Sequence, residues 1–173
     1  AQVILMAATP ILSRLFDPIQ FGILTAFLVV PNALLPAIGG KFEVAMVLPR
    51  SDRTARLLLG FAIQICLLTS VLLLLWTLSP LDSGTRYAIY APLYLFLAGN
   101  VLILQYTLNR NDQFARLGYI RIVIATATIS TMLLAGWLGA GTGGLVGGSL
   151  VGQAIGLALL LWWGVRPRGL TPL

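Results

Sequence analysis

The chain has 173 residues, of which 58% are hydrophobic and only 9% are charged, and its mean hydropathy is +0.95. A water-soluble domain carries about 25% charged residues, so the composition excludes an ordinary soluble fold and predicts that most of the chain faces lipid. The net charge of +6 arises from basic residues in short loops between apolar runs. This pattern is typical of membrane topology and not of a nucleic-acid-binding protein.

The residue types that most enzymes need are scarce. Histidine is absent, which excludes histidine metal sites, Ser-His-Asp triads and histidine proton relays within the chain. The single cysteine, Cys66, stands inside an apolar run, so we expect a buried small residue and no disulfide framework. Since no nucleophile elbow, Walker lysine or metal-ligand cluster occurs either, we predict no enzyme, no cofactor and no metal site.

The apolar runs predict an all-α bundle of about six transmembrane helices. The first, 1–12, covers roughly 18 Å and is shorter than the roughly 30 Å hydrocarbon core, so we expect it to be truncated. The others are 21–48, 57–78, 87–108, 117–138 and 145–165. We interpret 1–165 as an N-terminal transmembrane lobe, incomplete at its start, and 166–173 as a cytoplasmic linker or a truncated end.

Charge predicts the orientation. Loops on one side hold eight arginines and loops on the other hold two, Arg14 and Arg86. By the positive-inside rule the arginine-rich side is cytoplasmic, which places the N-terminus in the cytoplasm of a multi-pass protein. The four tryptophans, Trp76, Trp137, Trp162 and Trp163, fall at predicted helix ends, as in an interfacial aromatic belt.

The second segment contains charge where lipid makes charge costly. The 4-3-4 spacing of Asn32, Pro36, Gly39 and Glu43 predicts that they share one polar and small face of the helix. We expect this face to point into the bundle. Glu43 then serves cation coupling or substrate contact, or it pairs with a basic residue of a neighbouring helix.

The fourth and fifth segments offer further inward-facing polar groups. One face of the fourth carries Tyr87, Tyr90, Tyr94, Ala98 and Gln105, which could stack on sugar rings and bond hydroxyls, or could simply pack between helices. In the fifth, Arg121 shares a face with Ala125, Thr128, Met132, Ala135 and Gly139. Its planar donor fork suits phosphate, although Arg121 could instead be a positive-inside anchor.

Glycines dominate the sixth segment. Gly144, Gly148, Gly152 and Gly156 recur every four residues, which predicts close helix packing, and we expect Gly143 and Gly147 to widen the strip. Gln153 beside it could bond to a neighbouring helix. Gly139, Gly141 and Gly144 formally match G-x-G-x-x-G, but a membrane helix precedes them, so we interpret them as a hairpin and not as a dinucleotide site.

Two stretches resemble bacterial polysaccharide flippases of the multidrug/oligosaccharidyl-lipid/polysaccharide exporter superfamily. The first contains "TPILSRLFDPIQFGILTAFLVV" and "GGKFEVAMVLPRSDRTA", and its matching positions are Arg14, Pro18, Phe21, Gly22, Glu43, Ala45 and Pro49. The second contains "LNRNDQFARLGYIRI" and "GLVGGSLVGQAIG", with matching positions Asn109, Arg110, Phe114, Arg121 and Gln153.

This resemblance implies one lobe of a two-lobe transporter in the bacterial inner membrane, whose other lobe would be C-terminal in the same chain. Its implied activity is flipping of an undecaprenyl-pyrophosphate-linked oligosaccharide for polysaccharide or O-antigen synthesis. The predicted substrate-binding or cavity residues are Arg14, Asn32, Glu43, Tyr94, Gln105 and Arg121. The predicted partners are the lipid-linked oligosaccharide, membrane lipid and the second lobe.

Three alternatives remain open at this stage. The chain could belong to a drug or small-molecule antiporter of the same superfamily, or to a membrane enzyme of polysaccharide assembly. Short predicted outer loops weigh against a polymerase, which usually has a large extracytoplasmic loop. The chain could also be a structural membrane subunit.

Overall fold

A computed structural model describes residues 2–45, 52–78, 87–110 and 113–164, with side chains for 6–42, 45, 53–78, 87–110 and 113–163. These residues form helices and connecting turns, without any strand in the described ranges. The predicted terminal segment 166–173 lies outside them, as do four arginines used for orientation: Arg50, Arg86, Arg166 and Arg168.

Six helices of substantial length and one short helix follow each other along the chain. They are α1 (Gln2–Leu15), α2 (Pro18–Leu34), α3 (Phe42–Ala45), α4 (Asp52–Thr77), α5 (Ala91–Arg110), α6 (Phe114–Trp137) and α7 (Gly141–Gly164). Among the described residues, five segments are long and apolar enough to cross a membrane: Pro18–Ala37, Arg53–Thr77, Ala88–Arg110, Phe114–Trp137 and Gly141–Trp163. The predicted all-α membrane fold is therefore confirmed.

Contacts between helix ends show that α1 and α6 end on the same side and that α6 and α7 run antiparallel. At one end, Phe16, which directly follows α1, lies against Gly136 near the end of α6. At the other, the Arg116 guanidinium of α6 lies 5.6 Å from the ring centre of Trp163 in α7. We call this second end the basic end, because α5 ends there at Arg110 and α6 begins there with Arg116 and Arg121.

The second segment is not one helix, which corrects the prediction for 21–48. α2 ends at Leu34, a 3₁₀ turn covers Leu35–Ala37, and α3 begins only at Phe42. Pro36 lacks a backbone donor, and Gly40 and Lys41 have φ angles of 60° and 65°. Because the chain reverses its local handedness there, Asn32, Pro36, Gly39 and Glu43 do not form one helical face.

Lys41 gives the first testable prediction. A left-handed backbone costs a non-glycine residue about 1–2 kcal/mol, so Lys41→Gly should raise the free energy of unfolding by about 1 kcal/mol. Lys41→Ala removes the same charge but keeps the unfavourable φ angle, so it serves as the matched control. Thermal unfolding of the detergent-solubilised protein compares them, and equal stability of the two variants would contradict the argument.

The closest helix pair is α6 against α7, along the glycine strip. A Cβ atom added to Gly144 would lie 2.5 Å from the Ala135 Cβ, and one added to Gly148 would lie 2.5 Å from the Met132 Cγ. Gly152 lies against the Thr128 hydroxyl, with the Ile124 carbonyl oxygen 3.1 Å from the added Cβ position. The prediction of close packing is confirmed.

Two glycines do not belong to this strip. An added Cβ at Gly147 meets nothing within 4 Å, and one at Gly143 meets only the Tyr87 hydroxyl at 3.9 Å. The expectation that they widen the strip is therefore wrong: they project away from the tight α6–α7 contact.

The α4–α5 contact has a similar character. A Cβ on Gly99 would lie 2.7 Å from the Cys66 Sγ and 2.9 Å from the Ile38 Cδ1, and Cys66 is fully buried, as predicted. The Asn100 amide donates to the Phe96 carbonyl and to the Cys66 Sγ, at 2.8 and 3.6 Å. Asn100 is thus directed at α4, away from the face that carries Tyr94.

The glycine strip gives the second testable prediction. Gly152→Ala places a methyl group on the Thr128 side chain and should destabilise the fold by about 1–3 kcal/mol through overpacking. Gly147→Ala, in the same helix but facing open space, should be neutral or slightly stabilising because alanine favours helix. Thermal unfolding in one detergent measures both, and comparable losses would contradict the packing role of Gly152.

Candidate functional site

The helices enclose a partly open cavity of about 570 Å³. Its walls come from α1, α2, α5, α6 and α7 and from the turn after α2, whereas α4 does not line it. Apolar side chains form most of the surface. The polar lining residues are Thr9, Tyr94, Gln105, Arg121, Thr128, Ser149 and Gln153.

Among the described residues that line the cavity, Arg121 is the one with a charged side chain. It lies seven residues into α6 from Phe114, about 10 Å from that helix start. Its Nε and one terminal nitrogen both donate to the Gln105 Oε1 of α5, each at 3.4 Å. These bonds are long, and the partner is neutral, so the positive charge of Arg121 is oriented by Gln105 but not compensated by it.

A second polar pair lies further from the basic end. Tyr94, eleven residues before Gln105 and therefore about 16 Å away along α5, lies beside the Gln153 side chain of α7. Its ring packs edge to face against Phe27 of α2, with centroids 5.8 Å apart. Tyr94 thus lies between three helices, and the bond from Gln153 to a neighbouring helix stays a prediction.

The two polar pairs are separated by apolar wall. Ala98, Val101 and Leu102 of α5 face Ile124 and Ala125 of α6 across this stretch. Four members of the predicted face of α6 line the cavity: Arg121, Ala125, Thr128 and Met132. The prediction is wrong for the other two, because Ala135 packs against Gly144 and Gly139 lies beyond the end of α6 with a φ angle of 69°. The Ser149 hydroxyl donates to the Leu145 carbonyl at 3.1 Å, so it is already satisfied within its own helix.

The structure brings three of the six predicted site residues together: Tyr94, Gln105 and Arg121. Arg14 and Asn32 are exposed and are not among the lining residues. The residues of α2 that line the cavity are Phe21, Leu24 and Leu28, while Phe27 and Pro31 are buried. The backbone of Glu43 belongs to α3, but its side chain lies outside the described residues.

The tyrosine face of the fourth segment forms only in part. Residues 88–90 are a 3₁₀ turn and α5 starts at Ala91, so Tyr87 and Tyr90 are out of phase with Tyr94. Tyr90 is exposed, Tyr87 is half-buried, and neither lines the cavity. Tyr94, Ala98 and Gln105 keep the predicted common face.

Sequence reasoning missed Thr9 and Ser149 as lining residues. Thr9 lies in a segment interpreted only as a short apolar helix, and Ser149 follows Gly148 inside the glycine strip. Both carry small hydroxyls in apolar runs. Such residues give no signal above the background of helix packing.

The site offers anion and hydroxyl recognition in an apolar chamber. A guanidinium at one end can bind phosphate or carboxylate, and amide and hydroxyl groups further in can bond to polyols. Among the described residues, no group of three His, Cys, Asp or Glu side chains is placed to hold a metal ion.

Fold and cavity together define a polytopic helical membrane protein with a largely apolar chamber between its helices, to which a few polar side chains contribute. Comparison of the chain with protein-family models, with curated proteins and with solved structures finds no match.

Two adjacent residues of α6 give a third prediction, on the environment of the cavity. Ala125 lines the cavity, whereas Thr126 is exposed on the outer surface of the bundle. In membranes, Ala125→Cys should react with a charged, water-soluble thiol reagent, because residue 125 lines the cavity. Thr126→Cys should not react, because residue 126 faces acyl chains. The unsubstituted chain, whose Cys66 is buried, gives the background. Equal labelling of both variants would contradict a hydrated cavity.

Proposed function

We propose that the chain forms one lobe of a two-lobe transporter that flips a polyprenyl-pyrophosphate-linked oligosaccharide across the bacterial inner membrane, for polysaccharide or O-antigen synthesis. The observation that carries this proposal is the guanidinium of Arg121 at one end of an otherwise largely apolar cavity, where its hydrogen bonds to described residues go to the neutral amide of Gln105. The resemblance of its sequence to the polysaccharide flippases gives independent support.

The physical problem in such transport is the head group. Each unpaired hydroxyl costs several kcal/mol in hydrocarbon, and a charged phosphate costs far more. A chamber with its own donors lowers this barrier. In this proposal Arg121 binds the pyrophosphate, with its fork held in place by Gln105, and Tyr94 and Gln153 contact sugar hydroxyls. The lipid tail stays among acyl chains outside the bundle.

Opening of the chamber to alternate sides would then move the head group across the membrane. In the proposed two-lobe transporter, the second lobe closes the open side of the cavity and rocks against this one. The arginine-rich basic end is cytoplasmic in this scheme, as the positive-inside rule predicts. The head group would therefore meet Arg121 first, on the side where it is synthesised.

A drug antiporter of the same superfamily is the competing function. The apolar walls of the cavity would suit an amphipathic molecule, and many drugs of that kind are cations. The positive charge of Arg121 repels a cation in this low-dielectric setting. The charge of the lining residues therefore favours an anionic substrate.

Two arginines of α6 give the fourth prediction. In proteoliposomes of the full-length protein, Arg121→Ala should lower the rate of oligosaccharide flipping about 10- to 100-fold, the loss expected when a charged hydrogen-bond donor is removed. Arg116→Ala is the matched control, because Arg116 packs on Trp163 and does not line the cavity. Lectin access to sugars in the receiving leaflet measures the rate.

Arg121→Lys separates charge from geometry. Lysine keeps the positive charge but lacks the planar fork, so this variant should recover only part of the rate. Parental flipping by Arg121→Ala would reject the role proposed for Arg121. The same result for Glu43→Gln would reject a role for Glu43 in ion coupling or substrate contact.

A further inference from the structure

The outward face of α4 carries a polar residue at an unusual depth. Gln64 lies twelve residues after Asp52 and thirteen before Thr77, at the middle of the longest described helix. At 1.5 Å per residue this is about 18 Å from either end, close to the centre of the bilayer. The side chain is exposed on the bundle surface.

Gln64 also lies at the middle of the exposed face of α4. The buried residues of α4 are Ala55, Ala62, Cys66, Ser70 and Leu73. At about 100° per residue, these cluster on the side opposite Gln64. Gln64 therefore points directly away from the protein interior, and its amide forms no hydrogen bond with the residues that the structure describes.

An unpaired amide in hydrocarbon is unfavourable. It can both donate and accept, and leaving these groups unsatisfied costs free energy. In membranes, glutamine typically resolves this by bonding to a neighbouring helix. The cavity cannot supply that partner, since α4 does not line it.

The residues around Gln64 allow such a neighbour to approach. Gly60 lies one turn earlier on the same face, and a Cβ atom added there meets nothing within 4 Å. Along this face the exposed large residues are Leu57, Leu68, Val71, Leu75 and Leu78. A glycine notch beside a polar residue, within an apolar stripe, is the composition of a membrane helix interface.

We propose that this face, the α4 stripe from Leu57 to Leu78, binds the same face of a second copy of the protein. All copies share one orientation in the membrane, so a two-fold axis along the membrane normal brings α4 against α4 in parallel. Each residue near the axis then meets its own counterpart. Gln64 meets Gln64, and two amides satisfy each other because each supplies a donor and an acceptor.

A second copy of the protein would satisfy the Gln64 amide, and the other candidate neighbours of this face would not. A lipid chain would leave the amide unpaired. A second transport lobe would sit at the open side of the cavity, which α4 does not border. The dimer also stands apart from the proposed transport function, because it buries no cavity residue.

Cysteine crosslinking of the full-length protein in native membranes tests the proposal. Gly60→Cys, Gln64→Cys and Val71→Cys should each form a disulfide-linked dimer under mild oxidation. Leu72→Cys is the matched control, because it is as exposed as its neighbours but lies about 80° around the helix from Gln64. The unsubstituted chain should not crosslink, since Cys66 is fully buried.

A second measurement examines the amide itself. Gln64→Leu should weaken self-association of the protein in vesicles about three- to fifteen-fold, the effect of losing one interhelical polar contact in a membrane, with unchanged thermal stability of the monomer. Gln64→Asn retains an amide and should keep part of the association. Energy transfer between labelled copies, diluted in lipid, measures the change.

Three results would overturn the proposal. These are crosslinking of Leu72→Cys as fast as Gln64→Cys, a Gln64→Cys adduct with a different protein, or a monomer throughout the dilution series. A protein that flips lipid-linked oligosaccharide as a monomer would overturn the dimer and leave the transport function intact. A dimer without flipping activity would leave the dimer proposal intact and overturn the proposed transport function.

Discussion

The close contact between α6 and α7 is the interaction on which the rest of the bundle depends. Lipid supplies no hydrophobic driving force between membrane helices, so they associate through van der Waals contact and polar bonds. The glycine strip lets backbone meet side chain directly, as at Gly152 and Thr128. This contact fixes α6 relative to α7, and α7 in turn lies against α5 and α2.

The cavity follows from the same arrangement. Thr128 and Met132 pack on the glycines of α7 and also line the cavity, so one face of α6 forms both the tight contact and the chamber wall. Arg121, on that face but beyond the last glycine contact, is left free of the packing and reaches Gln105. A shift of α7 along α6 would therefore move Gln153 relative to Arg121. Packing and site geometry are linked through this helix pair.

Much of the fold was predictable, because a lipid environment permits few kinds of backbone structure. Backbone groups in lipid must bond within their own segment, so long apolar runs such as 117–138 had to be helices. The lining positions of α6 followed from helical periodicity alone. The unpredicted features depend on departures from that periodicity. Nothing in local propensity required Lys41 to adopt a left-handed conformation. Together with the 3₁₀ turn at Leu35–Ala37 and with Gly40, it breaks the helical phase between α2 and α3.

The candidate site shows the same division. Tyr94, Gln105 and Arg121 were predictable as inward groups because they lie on regular helices. Asn32 follows the lining residue Leu28 by one helical turn but is not a lining residue itself, because α2 ends at Leu34 and the chain turns there. The proximity of Tyr94 and Gln153 depends on the three-dimensional positions of α5 and α7, which α6 separates along the chain.

The neutral partner of Arg121 has an electrostatic consequence. A carboxylate in the place of Gln105 would cancel the guanidinium charge, and any arriving anion would first have to break an ion pair. With an amide there, the described lining residues give the chamber a standing positive potential. Small mobile anions such as chloride will concentrate near Arg121, so its occupancy by a larger anion is an exchange reaction that depends on the salt in the surrounding solution.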